Sequence, residues 1–403
     1  MQVYPSASNK LSLSDATEIS KSIFNIQAAS SGPAGKAKEK LKVFLTCLRL
    51  TGFLYYKPKR DDRRTKDLIS QIYCSMTLLI IWINFCFSTV YFKDATVFNG
   101  ALCNIIVSTV WFFQAACFAT NNFFRCHLVE DFLQDLDSYL SEVSLNMYRS
   151  LKNVSMSLSV SYFIWLVCAF TFGGMSNLFV SDSPFPDTGF EAFVILKIFL
   201  AIVYFYFVSS WYLLMSLFVL LSYILYRSFA DLNTRMSNTV DQEGCCRGDL
   251  ESFRLQHHKI CLLLDKANTI FSVYVLITIG TVIPLIVFTL YFVIFESIEM
   301  YKFYAVWWSV SLAVLQLSVV FMAGALVNHY AHASLWQIFG IDLHRFTPEQ
   351  SQQACMFVSQ LTSHPIGYTA MGLFVIDKPT IITFVGTIIT YTVVIIQFKP
   401  GSE

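Results

Sequence analysis

Charge is what this 403-residue sequence has least of: Asp, Glu, Lys and Arg together make up 14% of it. A soluble chain of this size carries about a quarter. That deficit excludes an ordinary water-soluble globular protein, and the net charge of +1 gives no electrostatic pointer to nucleic acid or to an acidic partner. No cleavable leader is expected, because the first 40 residues are polar, rich in Ser, Ala and Lys, and lack an apolar core segment. The first membrane span would then target the protein. The eleven cysteines form no extracellular disulfide framework. Cys74, Cys86, Cys103, Cys117 and Cys168 fall in apolar runs, and Cys47, Cys126, Cys245, Cys246, Cys261 and Cys355 in segments read below as cytosolic. All are read as reduced thiols or core residues. No phosphate loop, nucleophile elbow or pair of catalytic carboxylates within a span is found, so neither an enzyme nor a cofactor is expected. His329 and His332 lie three apart without a carboxylate or Cys beside them, and His257 and His258 face different directions, so no metal site is expected.

Hydrophobic residues, 55% of the chain, come in long blocks. A run of about 20 apolar residues crosses the hydrocarbon layer. Seven such spans are predicted, at 71–92, 100–120, 155–175, 192–222, 270–295, 303–328 and 380–398. The fold class is an all-α polytopic membrane protein. Residues 1–35 are expected to be disordered, and 36–66 to contain a membrane-proximal amphipathic segment of interleaved basic and apolar residues. Residues 67–346 would carry spans one to six, and 347–403 a cytosolic helix and span seven. The fourth run continues to Tyr226, which predicts a helix of about 52 Å that outruns the roughly 30 Å hydrocarbon core. Residues 250–268 and 347–362 also read as amphipathic helices, able to build a packed helical domain beneath the membrane or to lie separately on its surface. With the N-terminus in the cytosol, 24 of the 28 Lys and Arg fall on the inside, as the positive-inside rule requires. The C-terminus is then extracellular. The sequon Asn153-Val154-Ser155 would lie inside and stay unused.

The last span is the most informative. Positions 380, 383, 387 and 390 are Thr, followed on the same helical face by Val394 and Gln397, while Ile381, Phe384, Val385, Ile388, Tyr391 and Ile395 fill the flanks. A helix facing only lipid has no use for such a stripe. Several copies about an axis could turn Thr383, Thr387, Thr390, Val394 and Gln397 inward, and a ring of hydroxyls and amides without fixed charge would discriminate little among cations. Alternatively the hydroxyls bond back to their own helix and the stripe packs against a neighbour. Gly386 suits close helix contact under either reading.

The segment Thr390-Tyr391, five mostly apolar residues, Gln397-Phe398 resembles the signature of insect-type gustatory receptors. Upstream, Gly372-Leu373-Phe374-Val375-Ile376-Asp377 resembles the family's Gly-Leu-Phe-x-Ile-Asp segment, and Arg49-Leu50-Thr51-Gly52 its N-terminal Arg-x-x-Gly. The resemblance implies a seven-span chemoreceptor similar to insect odorant receptors: a tetrameric, ligand-gated, nonselective cation channel of the plasma membrane of chemosensory neurons. It implies a homotetramer or a heterotetramer with related receptors, joined by cytosolic helices, with a small-molecule tastant and cations as further partners. The last span would line the pore, with Gln397 and Phe398 near an extracellular gate and Tyr391 packing. Trp111, Gln114, Trp165, Tyr204, Trp307, Trp308 and Gln316 are candidate ligand contacts, aromatic walls with a few amides that suit a small organic molecule. Trp and Tyr also gather at membrane interfaces without any ligand. Thr392, where sugar-sensing members often carry an acid after the motif tyrosine, weighs weakly against a sugar, so the tastant is a bitter compound or a sugar. Against a G-protein-coupled receptor stand the missing Asp-Arg-Tyr and Asn-Pro-x-x-Tyr motifs and the charge bias. Against a transporter stand the missing internal repeats and the scarcity of buried ionisable residues.

Overall fold

The computed structural model describes residues 36–55, 64–90, 92, 100–143, 146–171, 190–239, 249–295, 300–341 and 347–397. Ten helices occur among them: α1 (Lys36–Lys40), α2 (Lys42–Leu50), α3 (Arg64–Val90), α4 (Gly100–Val143), α5 (Asn146–Ala169), α6 (Phe190–Thr239), α7 (Leu250–Phe295), α8 (Met300–Phe339), α9 (Pro348–Ser363) and α10 (Lys378–Gln397). The seven predicted spans fall on α3, α4, α5, α6, α7, α8 and α10 in that order. Five of these, α3, α5, α6, α7 and α8, are long and apolar enough to cross a membrane. The predicted disorder of residues 1–35 and the pair Cys245-Cys246 lie outside the described residues.

Four helices exceed any membrane thickness. With 40 to 50 residues each, α4, α6, α7 and α8 reach about 60–75 Å at 1.5 Å per residue, twice the hydrocarbon core. The expected projection of the fourth span is therefore present and longer than expected, running to Thr239. Residues 250–268 form no separate surface helix; they are the opening turns of α7, continuous with the fifth span. Polar positions change the face a helix buries without ending it, and Leu250–Phe295 contains neither Gly nor Pro before Gly280.

The extensions pack together. His257 of α7 is wholly buried, its Nε2 3.0 Å from the Ala331 carbonyl of α8, with Phe229 and Phe357 against its ring. Asn233 of α6 donates to the Tyr330 carbonyl at 2.8 Å and accepts from Ser334. Lys266 reaches Asp135, and Lys38 pairs with Glu130 at 2.8 Å. The amphipathic α2 turns Phe44, Leu45, Cys47 and Leu48 into this core, so its apolar face meets protein. Asp137 of α4 accepts from the Ala37 backbone N–H at 2.7 Å. By contrast α3 and α5 leave apolar faces open, including Ile72, Met76, Leu79 and Ile83 on one and Val160, Phe163, Ile164 and Val167 on the other. Exposed apolar side chains at helical spacing are what a lipid-facing surface requires.

Candidate functional site

Two sites follow from this architecture: the last helix, and an aromatic cluster among α4, α5, α6, α7 and α8.

The start of α10 is fixed by a hairpin. Met371 and Gly372 both have positive φ, 50° and 77°, and the Leu373 N–H donates to the Ala370 carbonyl at 3.0 Å. That pairing is the two-residue turn in which both central residues need left-handed backbone. Ile376 returns a bond to the Tyr368 carbonyl at 2.9 Å, with Thr369 and Val375 bridged between. Tyr368, Ala370 and Ile376 are fully buried. Three helices grip the hairpin: Ser222 of α6 donates to the Tyr368 hydroxyl at 3.2 Å, Asn268 of α7 accepts from the Thr369 N–H at 2.9 Å, and Asn328 of α8 donates to the Ile366 carbonyl at 2.9 Å. Asp377 then caps α10 by accepting from the Thr380 N–H at 2.9 Å. The Gly372–Asp377 motif thus has a structural cause at nearly every position, from the turn glycine to the capping carboxylate.

Beyond that anchor α10 is held on one side only. Ile381, Phe384 and Ile388 are half-buried, Phe384 stacking on Phe321 of α8 with ring centroids 5.6 Å apart. No described residue of α10 is fully buried. The exposed half divides in two. Thr383, Thr390, Val394 and Gln397 form one strip, with Thr387 half-buried at its edge. Ile382, Val385, Ile389 and Val393 form the other. Thr383, Thr387 and Thr390 donate to their own helix at Pro379, Thr383 and Gly386, with distances of 3.1, 2.9 and 2.9 Å. Back-bonding therefore occurs, yet among the described residues the strip stays exposed, with only Thr387 half-buried. Gly386 has open space where a Cβ would stand, and Tyr391 is 55% exposed. Phe398 lies outside the described residues.

The structure brings together five of the seven candidate ligand contacts. Trp165 of α5 stacks on Trp308 of α8 (5.6 Å, 18° between planes) and on Trp211 of α6 (5.3 Å, 25°). Trp111 of α4 meets Trp211 edge-on at 5.8 Å and donates to Ser309 at 2.9 Å. Gln316 of α8 accepts from Trp211 Nε1 at 3.0 Å, and Gln114 of α4 donates to Thr281 of α7 at 2.8 Å; both glutamines are fully buried. Tyr204 stands one ring out, in contact with Phe207 and donating to the Ala169 carbonyl at 3.0 Å. Trp307 is 43% exposed, apart from these stacks. Trp211, Tyr212, Thr278 and Thr281 complete the cluster and escaped the sequence reading. Their only signal was helical spacing: Trp211 and Tyr212 fall two turns beyond Tyr204, and Thr278 and Thr281 sit three apart in an apolar span. Among the described residues no group of three or more His, Cys, Asp or Glu could hold a metal.

Comparison with known proteins agrees with this geometry. A family model described as 7tm chemosensory receptor matches residues 41–401. No curated protein matches the chain. The fold is similar to that of the insect olfactory receptor OR5 from Machilis hrabei, solved alone (TM-score 0.72, 14% identity) and in complex with eugenol (TM-score 0.71, 15% identity). Each likeness covers 90% of this chain and 98% of the other.

Proposed function

The chain belongs to the 7tm chemosensory receptor family, and on that premise we propose that it is a gustatory receptor, a ligand-gated nonselective cation channel opened by a small organic tastant. The observation that carries this reading is the divided exposed half of α10. In a lone chain the strip of Thr383, Thr390 and Gln397 would face hydrocarbon, which pairs neither the Gln397 amide nor the acceptor lone pairs the back-bonded threonine hydroxyls keep. Assembly of four copies about an axis removes the conflict. The polar strip then meets water, and the strip of Ile382, Val385, Ile389 and Val393 meets the neighbouring copy or lipid. Back-bonded threonine hydroxyls keep an acceptor lone pair for that water. A wall without fixed charge passes hydrated cations with little selection.

The aromatic cluster is the ligand site of this reading, and a bitter compound or a sugar the class of tastant. The eugenol complex of the olfactory receptor supports a small organic ligand in this fold. A ligand opens the pore only if it binds the open arrangement more tightly than the closed one. The receptor sits in the plasma membrane of chemosensory neurons, N-terminus inside, as a homotetramer or with related subunits.

The test is recording from excised patches without GTP, in cells expressing the chain. A tastant-evoked cation current that persists there, and whose gating or permeation Gln397→Ala alters at unchanged surface expression, is the expected result. Responses that need GTP, or that ignore Gln397→Ala, would contradict it.

A further inference from the structure

We propose that the cluster around Gln114 selects planar, uncharged aromatic molecules that carry both a hydrogen-bond donor and a hydrogen-bond acceptor. This rests on the receptor reading above. Gln114 is wholly buried and only half satisfied: Nε2 donates to Thr281 Oγ1 at 2.8 Å, while Oε1 meets no donor. Thr281 cannot supply one, because its hydroxyl proton already goes to the Ile277 carbonyl at 2.6 Å. Gln316 makes the contrast. It is equally buried, yet both ends are used, Oε1 accepting from Trp211 at 3.0 Å and Nε2 donating to Thr278 at 3.4 Å.

A second polar atom of the cluster stands open. Trp165 Nε1 is buried without an acceptor, although the indoles of Trp111 and Trp211 both have theirs. Native interiors leave few buried polar groups unpaired, and each needs a reason. Here the open pair is one acceptor and one donor, the complement of a ligand with one donor and one acceptor. The shape follows from the stack. Trp165 lies within 18–25° of the planes of Trp211, Tyr212 and Trp308, a layered arrangement whose exchangeable neighbour is another flat ring. The charge follows from the walls. Trp111, Gln114, Trp165, Trp211, Trp308 and Gln316 are all neutral, and an ionic ligand among them would be buried unpaired. Ordered water is the competing occupant.

The probes are 7-hydroxycoumarin, which has both groups, and 7-methoxycoumarin, which lacks the donor. Binding is read by quenching of tryptophan fluorescence in the full-length receptor in lipid nanodiscs. The hydroxyl compound is expected to bind about tenfold more tightly, the factor one hydrogen bond supplies. Gln114→Leu should bring that ratio to about one. Gln114→Met repeats the test if the leucine variant has a lowered unfolding midpoint. Equal affinities in the unmodified receptor, or no saturable quenching by either probe, would overturn the assignment and leave the open atoms to water. Binding that survives both Trp165→Ala and Trp308→Ala would overturn it as well, by placing the probe elsewhere, whereas failure of the receptor reading looks different: the expected affinity ratio would hold while neither probe evokes a cation current in excised patches.

Discussion

Gly52 closes the Arg49–Gly52 motif, and its backbone accounts for its identity. Its φ is +76°, and a Cβ there would stand 2.5 Å from the Thr77 hydroxyl of α3. The turn lets Phe53 and Leu54 enter the core at 4% and 6% exposure, and Asn122 of α4 donates to the Phe53 carbonyl. Gly52→Ala is expected to destabilise the receptor by about 1–3 kcal/mol through strained backbone and steric conflict. Thr77→Ala should recover the part due to the hydroxyl and leave the strain and the closer packing on the Thr77 Cβ and Tyr73 ring, 3.1 and 3.3 Å from the added Cβ. Thermal unfolding of the purified receptor checks both, and an unchanged midpoint in Gly52→Ala would remove this explanation. Gly372 differs: its φ is +77° with open space around the missing Cβ, so only strain would oppose a substitution. Among the tryptophans, residue type alone could not rank neighbours. Trp307 and Trp308 are about 100° apart around one helix, and only Trp308 meets the stack. Gln114 and Gln316 stood out in the sequence as amides within apolar spans. That one would be satisfied and the other half open depends on Thr278, Thr281 and Trp211, which lie on other helices.

At the scale of elements, the hairpin between α9 and α10 is the joint through which the bundle positions α10, the helix proposed to line the pore. Asn268 is its most heavily used clamp, accepting from the Thr369 N–H at 2.9 Å and donating to the Thr369 hydroxyl at 3.0 Å. Asn268→Ala leaves those groups unpaired in a partly buried place, a cost of about 1–3 kcal/mol. Amide hydrogen exchange should then quicken in residues 366–377 and the first turn of α10, with α4 unaffected. Exchange that stays slow in the hairpin, or quickens evenly through the chain, would show that Asn268 is not its clamp. Helix content and order were legible in the sequence, because runs of about 20 apolar residues carry their own length scale. The extensions were legible only in part. Hydrophobic periodicity marked 250–268 as amphipathic helix, but joining it to the fifth span needed the absence of any breaker at the junction. The hairpin was visible as a family-like motif, while its grip by α6, α7 and α8 rests on contacts about 40 to 150 residues apart in sequence.

For the whole molecule, the four long helices make one body of the membrane bundle and the extension core, so a displacement at the aromatic cluster is carried along rigid elements. Among the described residues α10 is held on one side beyond its anchor, and on the proposed function it is the element that moves when that body shifts. The central claim is that its polar strip faces an aqueous pore formed between copies, and cysteine scanning tests this most directly. Cys86 and Cys355 are exposed thiols and are replaced by serine first, whereas burial pushes the Cys47 thiol pKa up and keeps it unreactive. Cysteine is then placed singly at Thr383, Thr390 and Val394 on one strip and at Ile382, Ile389 and Val393 on the other. A charged, water-soluble thiol reagent is applied during ligand-evoked current. Block at Thr383, Thr390 and Val394, faster with ligand than without, and no block at Ile382, Ile389 and Val393 is the result this account predicts. Block confined to the isoleucine and valine strip, or equal on both, would contradict it.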